Sequence, residues 1–159
     1  MRLFDPELDL SLSRAIRVDV DRLWATLTDA GHLKAWFVPR PWSLGECELE
    51  ATPGGRFNSV IVGPDGERFP AEGCVLWVES GRRFAWTSAL REGFRPVAAR
   101  PDAMPFTADW SLEPSGTGTQ LEITVRHADV AGRLQHEAMG FEAGWSQMLD
   151  QWEEYSQTL

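Results

Sequence analysis

From Leu8 the chain alternates, with Leu8, Leu10 and Leu12 on one side and Asp9, Ser11 and Ser13 on the other. That period of two predicts a first strand over residues 8–18. The period then changes: Val20, Leu23, Trp24 and Leu27 fall at helical spacing, with Asp19 or Asp21 placed to cap the start. A second short helix is expected over residues 28–37, with Asp29 as cap and Leu33, Trp36 and Phe37 on its inner side, stopped by Pro39 and Pro41. Alternation resumes where Cys47 and Leu49 interleave with Glu46, Glu48 and Glu50. Further strands are predicted over residues 56–62, 69–78, 83–88, 106–112 and 120–125, punctuated by Pro53-Gly54-Gly55, Gly63-Pro64-Asp65-Gly66, Glu79-Ser80-Gly81 and the run Pro114 to Gly118. At the C-terminal end Phe141, Trp145, Met148, Leu149 and Trp152 form one apolar stripe, with Asp150, Glu153 and Glu154 opposite. Gly140 and Gly144 are costly in such a helix, and close packing against the sheet is the expected reason.

This order of elements leaves one long apolar helix to cover the concave face of a curved antiparallel sheet. A single helix cannot fill that concavity, so the pattern predicts an α+β fold, a sheet gripping the helix, with a cavity between them bounded by the short helices. The chain length suits one domain over residues 1–159. Residues 89–105 carry Pro96, Pro101, Pro105 and Gly93 with no clear period, which reads as a long excursion and a candidate lid.

Composition sharpens the expected cavity. Eight Trp and eight Phe accompany a single Tyr, and large rings make good walls for flat apolar ligands. Strand parity puts Val75 with Trp77, Phe84 with Trp86, and Phe57 with Ser59 on shared faces. The net charge of −9 opposes nucleic acid and anionic membrane surfaces as partners. Met1 to Pro6 lacks an apolar signal core and no stretch is long enough to span a bilayer, so the cytoplasm is the expected location. Cys47 and Cys74 lie in strand-like runs without C-x-x-C spacing or a companion His, which favours reduced thiols and no metal site.

Chemistry-bearing residues are sparse. His32 sits among polar neighbours and is expected in solvent; His127 ends the last strand, where it is placed to help cap the following turn. His136 precedes Gly140 by one helical turn, where with Met139 it can face the cavity mouth, and it is the weak catalytic candidate. Asp102 and Asp109 are isolated, and no nucleophile elbow, P-loop, dinucleotide fingerprint or zinc-protease motif occurs, so no cofactor is called for. Arg91, Arg95 and Arg100 in the excursion are offered for the polar end of a ligand.

Several local strings add a resemblance. Thr28-Asp29 leading to Trp36-Phe37, Pro53-Gly54-Gly55-Arg56-Phe57, Gly73-Cys74-Val75-Leu76, Arg82 to Thr87, Gly118 to Leu121, and His136 to Phe141 running into Gly144-Trp145 span nearly the whole chain. In that order they resemble the activator of heat-shock protein 90 ATPase homologue-like family, within the START, polyketide-cyclase and birch-allergen (SRPBCC) superfamily. The resemblance implies the helix-grip fold and a pocket for a hydrophobic small molecule. Three functional readings follow. The first is a binding module using Trp36, Trp42, Phe57, Trp77, Trp86, Phe106, Met139, Trp145 and Met148. The second is a cyclase- or dehydratase-type enzyme using His136 or a pocket carboxylate. The third is a chaperone-interacting domain. A homodimer through an outer strand face is compatible with the pattern.

Overall fold

The structure, a computed structural model, describes residues 4–159, so the reading made at Met1 to Leu3 lies outside the described residues. The chain opens with β1 (Asp9–Ile16), followed by α1 (Val20–Leu27) and α2 (Ala30–Trp36). The Asp19 carboxylate accepts from the Arg22 N–H at 2.9 Å and the Asp29 carboxylate from the His32 N–H at 3.0 Å, which fixes both helix starts as expected. Then come β2 (Ser43–Leu49), β3 (Phe57–Val62), β4 (Arg68–Ala71), β5 (Cys74–Glu79) and β6 (Arg83–Thr87). Within the excursion, β7 (Leu90–Arg91) and β8 (Arg95–Pro96) flank one 3-10 turn. The chain ends with β9 (Phe106–Ser115), β10 (Gly118–His127), α3 (Val130–Ala138) and α4 (Phe141–Ser156).

One five-stranded antiparallel sheet runs β1-β10-β9-β6-β5 and a three-stranded sheet runs β2-β3-β4. They join where Arg56 bridges Cys74 and the Phe57 N–H donates to the Gly73 carbonyl at 3.0 Å. The stretch expected as one strand over residues 69–78 therefore bends into β4 and β5 at Glu72-Gly73. Gly73 permits the bend, because a Cβ there would lie 3.0 Å from the Phe57 carbonyl oxygen and 3.1 Å from that of Thr87. The curved surface grips α4, whose Met148, Leu149 and Trp152 are buried. This is the helix-grip α+β fold.

The core is aromatic. Trp36 stacks on Trp152 with centroids 4.7 Å apart, and Trp110 meets Trp152 edge-on at 5.5 Å. The two stacked indoles are anchored on Thr26: Trp36 Nε1 donates to its carbonyl at 3.0 Å and Trp152 Nε1 to its hydroxyl at 2.7 Å. These two bonds fix the arrangement of the stacked pair, while the buried Trp110 Nε1 has no hydrogen-bond partner among the described residues.

The two C-terminal glycines have a different reason from the one expected. Gly140 lies between α3 and α4 with φ of 90°, outside either helix, and turns the chain from one to the other. Gly144 lies inside α4, where an added Cβ would meet only Pro39 Cγ at 3.9 Å, so its neighbour is the loop after α2 and not the sheet. Among the described residues no helix is long and apolar enough to cross a membrane.

Candidate functional site

Between the sheet and α4 lies a cavity of about 420 Å³, within the range of small-molecule pockets. Its walls come from four directions. Phe37, Val38, Pro39 and Trp42 close it from the loop after α2; Phe57, Ser59 and Ile61 come from β3. Trp86 on β6 and Phe106 on β9 form the sheet side, and His136, Met139, Phe141, Gly144, Trp145 and Met148 form the helical side. The lining is chiefly apolar. Rings meet edge-on across it: Trp86 lies 5.0 Å from Phe57 and 5.5 Å from Phe106, and Phe106 lies 6.2 Å from Trp145.

The loop that closes one end is held by Gln151 of α4. Its side-chain amide donates to the carbonyls of Trp36 at 3.0 Å and Val38 at 2.8 Å, and its oxygen accepts from the Arg40 N–H at 2.9 Å. Val38 has a φ of 87°, a conformation costly for a β-branched residue, and this clamp holds it there. Trp42 extends the wall outward and meets the exposed Phe69 at 5.7 Å.

Of the sequence-expected site residues, Trp42, Phe57, Trp86, Phe106, Met139, Trp145 and Met148 line the cavity. Trp36 does not. It is only 1% exposed and belongs to the packed stack with Trp152. Trp77 does not either, because the register shifts between Val75 and Trp77: Val75 pairs with Trp86 and Trp77 with Ala85. The extra residue, Leu76, makes a bulge that reverses the alternation. Val75 stays inside and Trp77 turns outward, 49% exposed, under the Arg83 guanidinium at 4.6 Å. Sequence reasoning passed over Phe141 and Val38 as wall residues, although Phe141 stood in the apolar stripe of the last helix.

The excursion arginines lie apart from this cavity. Arg91 and Arg95 line a separate polar recess with Asn58, Glu72 and Glu92, and Arg100 pairs with Asp102 at 3.8 Å. Asp109, isolated in sequence, is nearly buried and held by Arg83 at 2.8 Å and Arg126 at 3.3 Å. Burial pushes its carboxyl up, and the two guanidiniums outweigh this and hold it below the ordinary Asp value. By strand alternation it faces away from Trp110 and the cavity. Cys47 and Cys74 are free thiols, and burial pushes the Cys47 thiol up to about 11, away from reactive thiolate.

Two of the three histidines, His32 and His127, depart from expectation. His32 is half-buried, with Nδ1 2.7 Å from the Tyr155 hydroxyl. His127 and His136 are both buried and bonded to each other, His127 Nε2 lying 2.9 Å from His136 Nδ1. The other nitrogen of His127 lies 2.9 Å from the Leu8 carbonyl oxygen, so His127 ties the start of β1 to the end of β10 and does not cap the following turn. His136 is in the cavity wall, ringed by Phe106 at 5.0 Å, Phe141 at 5.1 Å and Trp145 at 6.0 Å. Burial, reinforced by the neighbouring His127, pushes its imidazole down to about 4. Among the described residues no group of three His, Cys, Asp or Glu is placed to hold a metal ion.

A curved sheet closed on a C-terminal helix over an aromatic cavity defines the helix-grip class. The family model described as activator of Hsp90 ATPase homolog 1-like protein matches residues 17–157, and the chain belongs to this family. A protein of Nitrosomonas europaea with a solved crystal structure is 41% identical, covering 98% of this chain and 97% of its own, with a TM-score of 0.91. Proteins of Arthrobacter aurescens (23% identical, TM-score 0.82, 96% of this chain and 88% of that one) and Rhodobacter sphaeroides (22%, 0.81, 96% and 95%) share the fold. A search among curated proteins finds no match.

Proposed function

We propose that this chain is a binding protein for a hydrophobic, ring-bearing small molecule held between the sheet and α4. The observation that carries this reading is the cavity of about 420 Å³ whose walls are mostly ring edges and methionine, with one buried titratable group, His136. Apolar area removed from water supplies affinity, and the edge-on rings favour a flat occupant. Met139 and Met148 let the wall adapt to the ligand's outline. Two features count against the cyclase or dehydratase reading. A histidine with its pKa near 4 is a weak base near neutral pH, and the buried carboxylate Asp109 is engaged by two arginines on the other face of the sheet.

Native mass spectrometry of protein purified from its own source tests this reading. The wild type is expected to carry a small molecule that denaturation releases. Gly144→Phe, which adds a ring from α4 to the cavity, is expected to be folded and empty. Wild-type protein that is empty, and that also takes up no apolar compound from an extract of that source, would refute the binding reading.

A further inference from the structure

The pair of buried histidines bears on what kind of ligand the cavity accepts, an inference resting on the binding reading above. The Leu8 carbonyl can only accept, so the nitrogen of His127 beside it, Nδ1 at 2.9 Å, carries a hydrogen. In neutral His127 the other nitrogen, Nε2, then has a lone pair and no hydrogen. The atom facing it at 2.9 Å, His136 Nδ1, must donate. Neutral His136 has a single N–H, and this contact uses it. Its Nε2 is left as a bare lone pair, with no hydrogen-bond partner among the described residues. It belongs to a side chain only 6% exposed in the wall of a chiefly apolar cavity, whose other polar groups are Ser59, Ser88, the exposed Glu72 and the unpartnered Trp86 Nε1. An acceptor that a ligand would cover discriminates strongly, because a ligand without a matching donor leaves it desolvated and unpaired.

We propose that His136 Nε2 is the specificity-determining acceptor of the cavity and that the ligand is a neutral molecule whose hydroxyl donates to it. The backbone carbonyl of Leu8 sets this polarity through His127, because it fixes the direction of both hydrogen bonds. The surroundings of His136 disfavour a charged group at this position. An anionic carboxylate or phosphate would place its charge against a lone pair, in a cavity whose excursion arginines lie elsewhere. A ligand cation would find no carboxylate beside His136, where the neighbouring rings are His127, Phe106, Phe141 and Trp145. The burial that holds His136 neutral also keeps the ligand's proton on the ligand, so the contact is recognition and not proton transfer.

Two measurements test this. Calorimetric titrations with 2-naphthol and with 2-methoxynaphthalene compare the same rings with and without a donor. The expected result is about tenfold tighter binding of 2-naphthol, the worth of one well-made hydrogen bond. That preference for 2-naphthol over 2-methoxynaphthalene should vanish in His136→Phe, whatever the variant's affinity for either compound. Equal affinities in the wild type would overturn the role of His136 and leave the cavity reading standing; absence of binding by both compounds would overturn both. Independently of any ligand or variant, nitrogen-15 NMR of the wild-type histidine rings at neutral pH is expected to show His136 protonated on Nδ1 and bare on Nε2. The opposite tautomer would sink the proposal even if 2-naphthol binds.

Discussion

His136 has a consequence for stability that can be measured without any ligand. Its pKa in the folded chain, about 4, lies below the roughly 6.5 of an unperturbed histidine. Above the higher value both folded and unfolded chains hold the ring neutral, and it makes no contribution to pH dependence. Between the two values the unfolded chain takes up a proton that the folded chain refuses. Stability is therefore lost as pH falls through this window and levels off below it. The separation corresponds to ~3 kcal/mol. Urea denaturation of the wild type and His136→Phe at pH 7 and pH 4 isolates the effect, since the carboxylates titrate in both proteins. The wild type is expected to lose ~3 kcal/mol more than the variant over that range; equal losses would contradict the burial of a neutral ring. The residue type and the helical spacing marked His136 as a cavity candidate. Its partner was hidden because His127 lies on a strand end and meets His136 only after the chain turns through Asp129. Asp129 was the available signal: its carboxylate accepts from the Gly132 N–H at 2.7 Å and starts α3, which carries His136 back over β10.

The elements show where a periodic pattern carries information and where it stops. Helix starts with an Asp cap and strands with clean alternation were legible because capping and burial act over a few residues. The bulge at Leu76 was not, since an extra residue in one strand shows only against its partner, and it moved Trp77 from the cavity to the outer face. The break at Gly140 was read as a point inside a helix because the apolar stripe of α4 masks a change of direction just before it. The two glycines give opposite expectations. Gly144→Ala places a methyl in ordinary contact with Pro39, 3.9 Å away, and should stabilise by about 0.5–1 kcal/mol through helix propensity. Gly140→Ala forces a side chain onto a φ of 90° and should destabilise by about 1–2 kcal/mol. Thermal denaturation followed by circular dichroism distinguishes these, and a stabilising Gly140→Ala would contradict the left-handed link between α3 and α4.

At the scale of the whole molecule, the grip of the sheet on α4 divides the eight tryptophans by environment. Trp36, Trp110 and Trp152 are packed against one another in the core. Trp24, half-buried on α1, meets Phe84 edge-on; Trp77 lies outside under Arg83, while Trp42, Trp86 and Trp145 line the cavity. The need for a cavity was legible in the chain's single long apolar helix, and the abundance of rings suggested its lining. Which rings line it depends on register and on the clamp from Gln151 to the loop after α2, both long-range. This division makes the central claim directly testable by following the indole N–H signals of all eight tryptophans by NMR during titration with 2-naphthol. Saturable shifts are expected at Trp86 and Trp145, with a smaller one at Trp42 on the rim and none at Trp77. Shifts confined to Trp77, or none at Trp86 and Trp145 at saturating 2-naphthol, would contradict a ligand held between the sheet and the C-terminal helix.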